Sequence, residues 1–264
     1  ELHASLFAAA RPRAGLLLVH GLQSHAGWFE ASDTARELAE AGISSLAYDR
    51  RGSGRSSGAR GHAESADDFL ADLDAARRAL RSELGPSAPL HVYANCFGAA
   101  AALAYTAEHP DAFASLILTS PATNLSRRAS YGLGARLRIG LAPARTEFPT
   151  PLRDEYFVRG GPWLEWIRHD PLALRSVSAG FLRGAARLSR RMRDAIPRLQ
   201  IPLLVVLARR DAIVDNRAIR CTFFASCPGP RRLLEHDVDH YIDFTGARWA
   251  LAREIELFVR RPRP

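Results

Sequence analysis

The chain has no lysine. All 36 of its basic side chains are arginine, set against 28 acidic ones, for a net charge of +8. Arginine scattered among Ala, Gly and Pro, as in Arg11-Pro12-Arg13 and Arg260-Arg261-Pro262-Arg263, is what a GC-rich coding bias produces. The functional alternative is a basic surface that attracts an acidic carrier protein or a phosphorylated substrate. The arginines form no single stripe and no nucleic-acid motif accompanies them, so nucleic acid is not the expected partner. Cysteine is scarce as well. Three residues are too few for a disulfide framework. Cys221 and Cys227 could pair in an oxidising compartment, but read more simply as small apolar residues in a reduced cytoplasm. No run of about 18 apolar residues occurs, so no membrane-spanning helix is expected. No basic-then-apolar leader follows Glu1, and the expected location is cytoplasmic.

What the chain does have is apolar content, 47% of 264 residues, enough to bury a sheet between two layers of helix. Leu16-Leu17-Leu18-Val19, Ile43 to Tyr48, Leu90 to Tyr93 and Ala114 to Thr119 are short apolar runs bounded by Gly, Ser or Pro and read as strands. Helix patterns run from Ser32 to Ala41, with Asp33 near the start and Gly42 past the end, from Ala66 to Leu84, and from Ala99 to Glu108. This alternation predicts an α/β fold with a mostly parallel central sheet and helices on both faces. From Asn124 the pattern breaks. Residues 124–194 are Arg-rich and helix-like, with no convincing strand, and read as a helical cap inserted between core segments 1–123 and 195–264. Ile201 to Leu207 and Arg231 to Leu234 resume the strands, and Trp249 to Val259 reads as a last helix.

Five places carry chemistry. Ala94-Asn95-Cys96-Phe97-Gly98 lies where a strand runs into a small-residue helix. A nucleophile on so sharp a turn needs small residues two positions before and after it, which Ala94 and Gly98 supply. The turn aims the N–H of Phe97 and the helix N-terminus at a reacting carbonyl. The plainer reading is a buried Cys in an ordinary turn. His20-Gly21-Leu22-Gln23 closes the first strong strand; His20 reads as a structural hydrogen bonder. Asp49-Arg50-Arg51-Gly52-Ser53-Gly54 is too rich in Gly and Ser for regular structure. No Gly-Lys-Ser/Thr follows it, which argues against a phosphate loop, and Asp49 is expected to pair with an Arg or cap backbone amides. Asp211 follows a late strand, with Asp215 as the alternative; a lone Asp there is commonly a solvated turn residue. His236 and His240 flank Asp237 and Asp239 after the last strand. That cluster lacks an established metal spacing, and neither a metal nor a cofactor is expected.

Taken in order, these segments resemble the α/β-hydrolase superfamily, and within it the lysophospholipase or monoacylglycerol-lipase-like branch. The match covers roughly residues 14–121 and 200–260, with weaker echoes at Asp170-Pro171-Leu172, Val177-Ser178 and Phe181-Leu182. The resemblance implies a nucleophile, acid, His order met by Cys96, Asp211 and His240, with His236, nearer the end of the last strand, as the alternative His. It implies an oxyanion site formed by the N–H groups of Leu22 and Phe97. Two positions depart from the Gly-x-Ser-x-Gly elbow: Ala94 replaces the first Gly, and Cys96 replaces Ser.

The cysteine bears on the reaction. Acyl exchange from a thioester to Cys is nearly isoenergetic, whereas attack on a plain ester is uphill by comparison. Hydrolysis of an ester or thioester through an acyl-cysteine is the first reading. Transfer or cyclisation onto a non-water nucleophile, from an acyl carrier protein or CoA thioester, is the second. A pocket used as a receptor, without chemistry, is the third. A Ser-to-Cys replacement that traps an acyl-enzyme is the other origin of this residue.

Overall fold

Strand formation follows the apolar runs. The computed structural model describes residues 1–262; Arg263 and Pro264, included above in the basic tail and the second core segment, lie outside the described residues. Strands β1 Ala4–Phe7, β2 Ala14–Val19, β3 Ile43–Tyr48, β4 Leu90–Asn95, β5 Ser115–Thr119, β8 Leu203–Ala208 and β9 Arg231–His236 build one sheet. Its order is β1-β3-β2-β4-β5-β8-β9. All pairings are parallel except β1 with β3. Residues of β2 through β5 and β8 are buried throughout, as expected of parallel strands covered on both faces.

Successive residues of β2 serve the two faces. Leu17 and Val19 pack with Phe69 and Leu73 of helix α3 (Ala66–Leu84) and Leu103 of α4 (Gly98–Glu108). Leu16 and Leu18 pack with Leu38 of α2 (Thr34–Glu40) and Leu251, Ile255 and Phe258 of α9 (Arg248–Arg260). Leu16, Leu17 and Leu18 are wholly buried, and each such side chain contributes about 1.5–3 kcal/mol by leaving water. The long α3 starts on a capping box in which Ser65 and Asp68 satisfy each other's backbone N–H groups.

Several elements differ from the sequence reading, which also lacks strand β1. The helix expected over Ser32 to Ala41 is α2 alone. Asp33 adopts φ +61 and makes no capping bond, pairing with Arg36 instead. A short helix, α1 (Ala26–Ala31), precedes it. The stretch from Asn124 to Arg193, read as free of strands, contains β6 (Glu147–Pro149) and β7 (Ser176–Ser178), which pair antiparallel. Three-residue strands are too short to show a period of two, and Pro149 obscures the first. Helices α5 (Leu133–Leu141), α6 (Pro162–His169) and α7 (Ala179–Ala195) complete this connection between β5 and β8. After β8 comes α8 (Asn216–Ala218), which continues as a π-helical turn through Phe224. No described helix is long and apolar enough to cross a membrane.

The parallel register places the carboxyl ends of β2, β3, β4, β8 and β9 on one edge. Leading out of those ends come His20, Asp49-Arg50, Cys96, Asp211 and His240. In open α/β sheets this edge is where ligands bind.

Candidate active site

Cys96 joins β4 to α4 with φ +50. A left-handed backbone at a residue other than Gly costs on the order of 1–3 kcal/mol and persists only where surroundings hold it. Here the Cys96 N–H donates to the Thr119 carbonyl at 3.0 Å, and the Cys96 carbonyl accepts from Ala99 and Ala122 at 3.2 and 3.0 Å. A residue without a side chain is needed at position 98. A Cβ on Gly98 would stand 2.6 and 2.8 Å from the carbonyl oxygens of Val19 and His20. The Cys96 side chain is nearly buried, at 3% exposure.

His240 and Asp211 meet beside it. Nδ1 of His240 lies 2.7 Å from Oδ2 of Asp211, and both side chains are inaccessible to solvent. The other carboxylate oxygen accepts from the backbone of Ile213 and Val214 at 2.8 and 2.9 Å. Burial by itself would raise the Asp211 pKa; the His240 charge and hydrogen bond, with those two N–H groups, outweigh it and hold the pKa down. Burial opposes the charged imidazole too, but the Asp211 charge and then the Cys96 side chain push the His240 pKa up to about 10. Cys96 thus lies within electrostatic reach of the ring, although Nε2 of His240 makes no hydrogen bond of regular geometry among the described residues. A ring nitrogen held by a carboxylate on one side and free on the other is arranged to take a proton from a neighbouring group. Phe157 packs edge-on against the imidazole at 5.7 Å and helps exclude water.

The loop after β2 is held by Arg50. Its guanidinium donates to the carbonyls of Gly21 at 2.8 Å and Leu22 at 2.5 Å. The Arg50 backbone N–H donates to Nε2 of His20 at 3.2 Å, which leaves Nδ1 to donate to Gly21 at 2.9 Å. Burial, with the Arg50 charge beside it, holds the His20 pKa well down. His20 is therefore a neutral structural hydrogen bonder. The N–H groups of Leu22 and Phe97 donate to no acceptor among the described residues, while both residues face the same cavity as Cys96.

Asp49 takes the second of its two expected roles. It accepts from the backbone of Ala26 and Arg55 at 2.7 and 2.8 Å, and Gly54, at φ +50, leaves the space its carboxylate occupies. Asp215 caps α8 through Ala218. His236 ends β9, where its carbonyl accepts from the backbone of Arg209 and Val238. Asp237 and Asp239 pair with Arg210, and Asp239 also with Arg159, so these carboxylates do not converge with the two histidines. Among the described residues no group of three or more His, Cys, Asp or Glu side chains could hold a metal ion. Cys221 is exposed and Cys227 buried, and both are free thiols.

Sequence reasoning passed over two groups. Arg50 is one. The other is Asp170, whose Oδ2 accepts from Nε2 of His25 at 2.9 Å and from the Trp28 indole at 2.8 Å. Asp170-Pro171-Leu172 stood out in the sequence, but its partners lie 145 and 142 residues away.

The cavity over Cys96 measures about 410 Å³. Leu22, Phe97, Phe181, Leu182, Leu152 and Ile213 form much of its apolar wall.

A parallel sheet with an elbow residue and an Asp–His pair at its carboxyl edge defines an α/β-hydrolase. Residues 10–236 match the Hydrolase_4 family model, described as serine aminopeptidase, S33, and the chain belongs to that family. The chain is 29% identical over 213 residues to a monoacylglycerol lipase of Mycolicibacterium smegmatis, covering 77% of this chain and 72% of the other. It is 29% identical over 214 residues to an uncharacterized abhydrolase domain-containing protein of Dictyostelium discoideum, covering 79% of this chain but spanning only 22% of that longer protein. The fold matches the crystal structure of the Paleococcus ferrophilus monoacylglycerol lipase with a TM-score of 0.85 at 22% identity, covering 98% of each chain.

Proposed function

We propose that the protein opens carboxylic esters or thioesters through an acyl-cysteine on Cys96, and that it is chiefly a hydrolase. The observation that carries this reading is Cys96 at φ +50 beside the His240–Asp211 pair. The similarity to monoacylglycerol lipases supports an ester substrate. Residues 124–194 act in this reading as the cap that shapes the acyl pocket, and the site of action is cytoplasmic.

Cys96, His240, Asp211 and one water suffice for the chemistry. Nε2 of His240 takes the Cys96 thiol proton, and Asp211 stabilises the imidazolium. The thiolate attacks the acyl carbonyl, and the N–H groups of Leu22 and Phe97 stabilise the oxyanion. The carbon–oxygen or carbon–sulfur bond to the leaving group breaks, and His240 returns its proton to that alcohol or thiol. Water then gives a proton to His240 and attacks the acyl-cysteine. The intermediate collapses to the acid, and the thiolate regains its proton.

Intact-protein mass spectrometry after incubation with a panel of esters and acyl thioesters tests this. The expected result is an acyl-sized mass increase on wild type that is absent from Cys96→Ala. A folded protein that neither gains mass nor turns over any acyl donor overturns it. Transfer or cyclisation from a carrier or CoA thioester is the second reading. It is favoured by the cysteine itself at the elbow position, because an acyl-thioester stays activated towards amines and alcohols. Product analysis with amine and alcohol acceptors separates the two, since free acid alone excludes transfer.

A further inference from the structure

The cavity over Cys96 is not apolar throughout. One stripe of α7 lines it, from Leu182 through Ala185, Ala186 and Ser189 to Arg190 and Arg193. These residues recur at the three- and four-residue spacing of a single helix face. Phe181, near the start of α7, packs 5.6 Å from Phe97 and so marks the end next to the thiol. At 1.5 Å per residue, Arg190 and Arg193 sit roughly 13–18 Å further along the helix. Arg136 of α5 lines the same cavity.

These arginines lack counter-charges. Among the described residues Arg190 and Arg193 make no ion pair or side-chain hydrogen bond, and Arg136 spends only Nε, on the Tyr131 carbonyl. Of the other arginines on this helix, Arg191 pairs with Asp67 and Arg183 donates to the carbonyls of Ile139 and Ala142, while Arg187, outside the cavity, makes neither kind of contact among the described residues. No Asp or Glu lines the cavity. Arg136, Arg190 and Arg193 are all solvent-exposed, and like charges gathered on one wall raise the local potential for an anion, an effect that salt screens. The guanidinium fork matches the oxygens of a carboxylate or phosphate.

We propose that the acyl donor opened at Cys96 carries a second, anionic group, a carboxylate or phosphate, which Arg136, Arg190 and Arg193 bind away from the scissile bond. This rests on the reading of Cys96 as nucleophile and narrows the substrate class. The anion can sit on the acyl chain or on the leaving group.

Two matched pairs of probes test it. One compares a p-nitrophenyl ester bearing a terminal carboxylate with its methyl-ester-capped twin. The other compares a 1-acylglycerol 3-phosphate with the corresponding 1-acylglycerol. The anionic member of one pair is expected to show a kcat/KM about tenfold or more above its neutral twin, and the pair that does so tells which side carries the charge. That ratio should fall towards one in R190A/R193A and with rising salt, and hold in Arg187→Ala, which is on α7 but outside the cavity. No preference in either pair, or a preference that survives in R190A/R193A, overturns the proposal. The same pairs titrated into Cys96→Ala read binding without turnover. Anion preference there, with no turnover in wild type, keeps the anion site and removes the acyl chemistry. Equal or absent binding of both members removes the anion site.

Discussion

A terminal nitrogen of Arg50 donates to the carbonyl oxygen of Leu22 at 2.5 Å, so a proposed oxyanion donor is fixed through its own carbonyl. The same guanidinium holds Gly21 and lies 5.2 Å from the Phe97 ring. One buried cation therefore touches both residues whose N–H groups are proposed to bind the oxyanion.

Arg50→Lys loses the fork that spans Gly21 and Leu22. Misplacing a donor by about 1 Å costs on the order of a hundredfold in rate. Steady-state kinetics should show kcat falling by about that factor with KM little changed. A kcat equal to wild type would show that the loop holds its shape without the fork.

The Asp211–His240 pair predicts a pH window. The raised His240 pKa contributes stability that is complete below its ordinary value of 6.5 and is lost as pH rises through about 10. The lowered Asp211 pKa contributes stability present above its ordinary 3.8 and lost as pH falls through the folded value. Removing one partner of a buried pair costs about 3–5 kcal/mol. Asp211→Ala should therefore be weakest relative to wild type near pH 5–6, with the gap narrowing towards pH 10 and towards pH 3. Denaturant midpoints across that range measure it; a gap constant with pH would mean that the pair contributes by packing rather than charge.

Gly98→Ala places a methyl against two backbone carbonyls that cannot rotate away. Overpacking of this kind costs about 1–3 kcal/mol. The urea midpoint should drop accordingly, and iodoacetamide should label Cys96 at an altered rate, since the turn must shift to admit the methyl. An unchanged midpoint would mean that α4 moves off β2 freely.

Asp170→Asn puts an amide NH₂ where the carboxylate now receives three N–H donors, from His25, Trp28 and Leu172. At least one donor loses its acceptor, at about 1–3 kcal/mol. Limited proteolysis should cut the connection between β5 and β8 faster than in wild type. Equal cleavage rates would show that the apolar contacts of Trp28 suffice to hold it.

The sheet was legible because parallel strands buried on both faces leave continuous apolar runs, and β2 through β5 and β8 are such runs. The candidate nucleophile and acid were legible because Cys96 and Asp211 follow two of those strands, β4 and β8, and the candidate His because it lies between β9 and the last helix. Strand β1 was missed: it is a four-residue edge strand, alternately exposed and half-buried. Helix α1 was missed because Ala-Gly-Trp-Phe-Glu-Ala is barely more than one turn and shows no period. Arg50 and Asp170 were visible as residues but not as grips. Their work depends on partners brought close only by the fold: Gly21 and Leu22 for Arg50, 29 and 28 residues away, and His25 and Trp28 for Asp170, 145 and 142 residues away. The three cavity arginines were read only as part of a scattered charge, because α5 and α7 come together through the fold and not through the sequence.

The link from Asp170 to His25 and Trp28 fastens one flank of the segment over Cys96 to the sheet below. Lifting that flank would strand a carboxylate and two donors in an apolar setting, a heavy penalty for each opening. Helix α7 fastens the other flank: Arg191 pairs with Asp67 of α3, and Phe181, Leu188 and Met192 are buried in the main core.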